Sequence, residues 1–133
     1  METLKDYVTH YYTSDYNCAE TLLRAANDYY QLGMTDDDMK TMGGFGAGMY
    51  SGMVCGALVG SVAAISKKVV KQRAHATPNM NRIVQSCVQD FKNRLGAVDC
   101  KDVRPMHHTT EEKCLPTCLL AAETLEQVMA SIE

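Results

Sequence analysis

Six cysteines, at positions 18, 55, 87, 100, 114 and 118, are the residues of this 133-residue chain whose type best suits chemistry. A cysteine attacks, or binds metal, as the thiolate, so its surroundings decide whether it can act. Cys87 falls inside the apolar stripe Ile83, Val84, Val88, Phe91 and Leu95 and reads as a small core residue. Cys118 lies on the inner face of the last helical segment and reads as core too, although its i, i+4 spacing from Cys114 would let it reach the same site. Cys18, Cys55, Cys100 and Cys114 differ. Each stands near a predicted helix start or in a turn, with polar or glycine neighbours. Ser14, Ser51 and Thr110 each precede one of them by four residues. If those hydroxyls are N-caps, Cys18, Cys55 and Cys114 lie in first turns, where the helix dipole favours thiolate. Asn17 is an equally good cap for the segment holding Cys18.

The intervals between these four cysteines hold 36, 44 and 13 residues, and no CxxC occurs. The simplest zinc-ribbon and thioredoxin-like patterns are therefore absent. Such spacings suit thiols gathered by tertiary folding. Four thiolates are a ligand set for zinc or an iron–sulfur cluster, whereas two pairs suit dithiol–disulfide cycling. His107 and His108, between Cys100 and Cys114, are further candidate ligands, with exposed loop histidines as the ordinary reading. No Ser/His/Asp, paired-carboxylate or phosphate-loop pattern supports a hydrolase or a kinase. The enzyme class the cysteines leave as a candidate is an oxidoreductase.

The elements that must position these thiols all have helical period. Leu4, Tyr7, Val8 and Tyr11 predict a first helix over 2–12. Asn17 with Glu20 has the form of a capping box, opening a helix that passes Tyr30 and stops at Gly33. Thr35 caps the next, with Asp36, Asp37 and Asp38 suited to the positive dipole end. Residues 42–66 then hold seven of the nine glycines and no charge. Gly44, Gly48, Gly52, Gly56 and Gly60 recur every fourth residue, so on a continuous helix they form a bare stripe that admits a backbone or a cofactor. Gly52, Gly56 and Gly60 are the candidate cofactor-binding positions. The glycine cluster 43–48 is expected to end or bend the preceding helix, and a new one to run from about Ser51 to about Arg73. Thr77-Pro78 reads as the start of a helix ended by Gly96. Residues 99–109 read as a loop, and Thr110 opens the last helix, with Pro116 tolerable only in its first turns. No segment alternates with period two. The fold class expected is all-α, a single domain over 1–133 with five to seven helices around a central glycine-rich one.

A net charge of −3 gives no footprint for nucleic acid. METLKDYVTHYY lacks the pattern of a signal peptide, which places the cysteines in a reducing, cytoplasmic setting. The uncharged run 42–66 is long enough to span a bilayer, but its glycine, alanine and serine content speaks against insertion.

At Cys55-Gly56-Ala57-Leu58-Val59-Gly60 the chain resembles the C-GCAxxG-C-C family of redox-active proteins. The likeness extends to Tyr16-Asn17-Cys18-Ala19, to Gly43-Gly44-Phe45-Gly46, to Cys100 after Arg94-Leu95-Gly96, and to Lys113-Cys114 before Ala121-Ala122-Glu123. Ser51-Gly52-Met53-Val54 departs from the charged or glycine approach usual before the motif. By position the family's four cysteines correspond to Cys18, Cys55, Cys100 and Cys114, and the resemblance implies a redox or transport-associated partner. Three functions follow as expectations: a thiol-redox or electron-transfer protein with Cys55 as the low-pKa thiolate; a zinc or iron–sulfur protein using the same four thiols; or a structural module, including a homodimer, packed through the glycine stripe.

Overall fold

Capping boxes set the first three helix starts. In the computed structural model, which describes residues 1–132, Thr3 pairs with Asp6, Asn17 with Glu20 and Thr35 with Asp38. Each pair satisfies two backbone N–H groups that a helix start leaves free. They open α1 (Leu4–Thr13), α2 (Cys18–Tyr30) and α3 (Asp36–Met39). The acidic triplet fills the first turn of α3. Four further helices follow: α4 (Gly56–Val69), α5 (Met80–Leu95), α6 (Cys100–His107) and α7 (Leu115–Ser131). Seven α-helices, with no strand among the described residues, make the all-α bundle the helical periods predict.

The glycine stripe is not one helix face. Lys40–Phe45 forms a 3₁₀ turn and Gly48–Gly52 a wide π turn, so α4 begins at Gly56 rather than Ser51 and ends at Val69 rather than near Arg73. Glycine in a helix interior costs about 1 kcal/mol relative to alanine, so a segment this rich in it has little reason to stay helical. Gly48 (φ 63°) and Gly52 (φ 72°) take left-handed backbone instead, and Ala47, Met49 and Tyr50 follow at φ 51°, 60° and 53°.

Gly56 and Gly60 do remain on α4, and their bareness lets α2 press against it. A Cβ on Gly60 would stand 2.5 Å from the Ala19 carbonyl oxygen and 3.0 Å from Leu22 Cβ. Around this seam the core gathers Leu4 and Val8 of α1, Leu22 of α2, Ile65 of α4, Phe91 of α5 and Leu125 of α7, all fully buried. Glu123 of α7 receives Lys5 of α1 at 2.5 Å and Arg94 of α5 at 3.1 Å, tying three helices at the rim. No helix among the described residues is long and apolar enough to cross a membrane.

Other boundaries differ from the sequence reading. Gln31, two residues before Gly33, takes the left-handed cap of α2. Helix α5 starts at Met80 after Asn79, not at Thr77-Pro78, and ends as expected at Gly96 (φ 93°). The expected loop 99–109 contains α6, with Pro105 inside it. Its ends are held from outside: the Cys100 N–H donates to Met53 O (2.6 Å), and His107 Nε2 bonds Leu95 O (2.8 Å). The last helix begins at Leu115, not Thr110, with Pro116 in its first turn.

Candidate redox site

Each of the four singled-out cysteines stands at a helix N-terminus. Cys18 is the first residue of α2 and Cys100 the first of α6, whereas Cys55 and Cys114 are themselves the cap residues of α4 and α7. Ser14, Ser51 and Thr110 are not the caps. Asn17 caps α2 through its side chain, accepting from the Glu20 N–H at 2.9 Å. Cys55 and Cys100 are brought together by a backbone tie. Val54 and Asp99 form an antiparallel bridge, in which the Cys55 N–H donates to Val98 O at 2.8 Å.

All four cysteines line one cavity of about 180 Å³, far above the ~10–15 Å³ that one water needs in this measure. Tyr12 of α1, Asn17 and Tyr16 before α2, Ala47 and Tyr50 of the turn segment, Arg104 of α6 and Thr117 of α7 share its walls. Cys87 and Cys118 are fully buried outside the cavity wall, as expected of core residues, though Cys118 lies near enough to Cys18 and Cys114 to feel their charge. Burial pushes the Cys87 thiol up to about 12 and the Cys118 thiol well above its ordinary value.

The two innermost thiols act on each other. The side-chain interaction with Cys55, more than any other cause, draws the Cys18 thiol well below its ordinary value against the opposing effect of burial. The backbone N–H groups of Ala47, Ala19 and Cys18 itself add to it. The same interaction, then burial, drives the Cys55 thiol upward. The direction of this interaction favours the thiolate on Cys18, whereas the helix-start argument from the sequence places it on Cys55. The reason is local. Cys55 is buried at the cap and is aided by the Ala57 N–H alone, while Cys18 collects N–H groups from its own first turn and from the left-handed residue Ala47.

Asn17 fixes that arrangement. Its Nδ2 donates to Gly43 O (3.1 Å) and lies 3.5 Å from the Tyr50 hydroxyl. The glycine segment is thereby held over the first turn of α2. Gly46 is bare where Asn17 presses in, since a Cβ there would lie 2.6 Å from Asn17 Cγ. Tyr16 carries the Arg24 guanidinium 4.4 Å above its ring, and Arg24 also pairs with Asp36 (3.1 Å).

Cys100 and Cys114 are half-buried and raised, in each case by burial first and then by the Cys18 charge; Arg104 opposes this at both. The Cys114 N–H donates to the Tyr12 hydroxyl oxygen at 3.0 Å, and that hydroxyl also hydrogen-bonds the thiol and favours its thiolate.

The candidate cofactor positions fall outside the cavity wall. A Cβ on Gly56 would meet Cys18 Sγ at 2.5 Å and Phe45 O at 2.8 Å, Gly60 meets α2, and Gly52 faces Lys101 Cβ at 3.4 Å. The space the glycines make is filled by this chain. Nor is a metal site preassembled: among the described residues no group of three or more His, Cys, Asp or Glu is placed to hold a metal ion. His107 Nε2 is engaged with Leu95 O. Tyr12, Arg104 and Thr117, which the sequence reading did not single out, come from three different helices and share no spacing that would have marked them.

A family model described as "Putative redox-active protein (C_GCAxxG_C_C)" matches residues 16–128. No curated protein and no solved structure matches the chain.

Proposed function

The chain belongs to the C_GCAxxG_C_C family, and from that premise we propose that it is a dithiol–disulfide exchange protein in which Cys18 attacks and Cys55 resolves. The reading is carried by one observation: Cys18 and Cys55, each at a helix start, line the same cavity, with Cys18 Sγ packed against the first residue of α4 beside Cys55. A nucleophile already ionised beside a protonated partner thiol is the arrangement exchange requires.

The Cys18 thiolate attacks one sulfur of a disulfide R–S–S–R′. An S–S bond forms between Cys18 and the R–S group, the substrate S–S bond breaks, and R′–S⁻ leaves with the electron pair. Cys55 then yields its proton to R′–S⁻ and attacks the Cys18 sulfur, forming the Cys18–Cys55 disulfide and releasing R–S⁻. The substrate gains two electrons and the cysteine pair loses two; run backwards, the pair oxidises two thiols. The glycine at position 56 supports this role by leaving room beside Cys18 Sγ.

The test is alkylation of the reduced protein across pH, with each cysteine followed by peptide mass spectrometry. Because the Cys18 pKa is depressed in the folded state, its thiolate persists as pH falls and disappears only as pH drops through that lowered value. Cys18 is expected to react with a midpoint below that of an unperturbed thiol, about 8.5, and Cys55→Ser is expected to trap a mixed disulfide on Cys18. Equal reactivity of Cys18 and Cys87 in the native protein would remove the proposal.

A further inference from the structure

Two of the four cavity thiols, Cys100 and Cys114, have no part in exchange between Cys18 and Cys55. Both are half-buried at the cavity wall, and each stands at a helix start. Cys100 is tied to Cys55 through the backbone. The Val54–Asp99 bridge is flanked by two hydrogen bonds, from the Cys55 N–H to Val98 O (2.8 Å) and from the Cys100 N–H to Met53 O (2.6 Å). Side chains alternate across such a pair, so Cys55 and Cys100 share the face opposite Val54, and both line the cavity. Diagonal neighbours of this kind stand about 7–8 Å apart and a disulfide spans about 4–7 Å, so a shift of about 1 Å joins them. Cys114 completes the set from the start of α7, against which α6 packs. Arg104, one turn along α6 from Cys100, lies near enough to both outer thiols to favour their thiolates, and the charge of Cys100 is itself felt at Cys114.

We propose that Cys100 and Cys114 are a second dithiol, which reopens the Cys18–Cys55 disulfide at Cys55 and passes it on to an external dithiol. This rests on the exchange reading and adds the outlet of the same site. The Cys100 thiolate attacks Cys55 Sγ. The Cys55–Cys100 bond forms, the Cys18–Cys55 bond breaks, and Cys18 leaves with the electron pair. Cys114 then attacks Cys100 Sγ, so that the Cys100–Cys114 bond forms and Cys55 is released. Of the protons given up by Cys100 and Cys114, one goes to Cys55 and one to solvent, and Cys18 stays ionised. The inner pair gains two electrons and the outer pair loses two. The external dithiol reduces Cys100–Cys114 and closes to its own disulfide. Two features set the direction. Thiols of low pKa leave fastest, so attack at Cys55, which expels Cys18, is favoured over attack at Cys18. A pair whose reduced form is stabilised as thiolate is the stronger oxidant, and burial leaves the outer thiols without that stabilisation.

The test adds one equivalent of bis(2-hydroxyethyl) disulfide to the reduced full chain, quenches samples in acid over time, and maps the disulfides by tandem mass spectrometry. In the wild type, Cys18–Cys55 is expected to appear first and to give way to Cys100–Cys114 with no further loss of free thiols. Cys100→Ser is expected to hold the disulfide at Cys18–Cys55, and Cys114→Ser to divide it between Cys18–Cys55 and Cys55–Cys100. Direct attack on the probe by the outer thiols starts from mostly protonated sulfur, so Cys18→Ser is expected to slow Cys100–Cys114 formation about three- to tenfold. Circular dichroism checks the fold of each variant, and the wild-type time course tests the relay by itself. A wild-type product that stays at Cys18–Cys55, with Cys100 and Cys114 still open to alkylation, would overturn the relay while leaving exchange standing. So would an outer disulfide that forms at the wild-type rate in Cys18→Ser. Absence of Cys18–Cys55 from both the wild type and Cys100→Ser would instead overturn exchange itself.

Discussion

Replacing Gly56 by alanine adds one carbon where Cys18 Sγ already stands 2.5 Å away, with Phe45 O at 2.8 Å and the Ala19 nitrogen at 3.2 Å. Non-bonded heavy atoms settle near 3.5–4.0 Å, so the sulfur must retreat by about 1 Å. That displacement breaks the hydrogen bond with Cys55, the leading cause of the lowered Cys18 pKa. A hydrogen bond to a charged group contributes about 1.5–3 kcal/mol, and one pKa unit corresponds to about 1.4 kcal/mol, so the Cys18 alkylation midpoint is expected to rise by about 1–2 pH units. Overpacking costs about 1–3 kcal/mol, and for a chain of this length each kcal/mol moves the melting temperature by about 3–5 °C. Gly60→Ala serves as the control. It overpacks the same seam, against Ala19 O at 2.5 Å and Leu22 Cβ at 3.0 Å, one turn further from the sulfur. Calorimetry should find both variants destabilised to a similar degree, and pH-dependent alkylation should find the large midpoint shift only in Gly56→Ala. Equal shifts in the two variants would mean that helix separation, not contact with the sulfur, controls Cys18, and the reasoning would fail.

Two further outcomes follow, one from the wall of the cavity and one from the turn beside it. Tyr12→Phe removes the hydroxyl that accepts the Cys114 N–H and favours its thiolate; chemical denaturation should register a loss of about 1–3 kcal/mol, and the Cys114 reactivity profile should move to higher pH. Met49→Gly places the residue tolerant of left-handed backbone at an exposed position with φ 60°; relieving a strain of about 1–2 kcal/mol, less the flexibility glycine adds to the unfolded chain, should raise the unfolding midpoint slightly, and a fall would show that the Met49 side chain is needed for packing.

The helix starts legible in the sequence are those fixed by neighbours along the chain: the boxes Thr3/Asp6, Asn17/Glu20 and Thr35/Asp38 are reciprocal bonds over three residues. Helix α6 was not legible, because Pro105 and the His107-His108 pair suit a loop and the helix persists through bonds to Met53 and Leu95, distant in sequence. The glycine period misled for a related reason. A repeat of four in a residue without a side chain carries no packing force, so Gly48 and Gly52 went to left-handed turns while Gly56 and Gly60, facing α2, stayed helical. The sequence could mark the cysteines at helix starts. It could not set Cys18 apart from Cys55, since the groups that lower the Cys18 thiol, the Cys55 side chain and the Ala47 N–H among them, are distant in sequence.

The Tyr12–Cys114 hydrogen bond joins residues 102 apart, and Cys18 owes its low pKa to groups on Ala47 and Cys55, which lie 29 and 37 residues further along. Contacts of such long sequence separation close late, because the entropy of bringing the chain together precedes any gain from them. While the chain is being made, its thiols are therefore ordinary ones, mostly protonated and slow to pair wrongly. The reactive sulfur comes into being only when the segment carrying Ala47 and Cys55 closes onto the first turn of α2, and folding itself guards the site against premature oxidation.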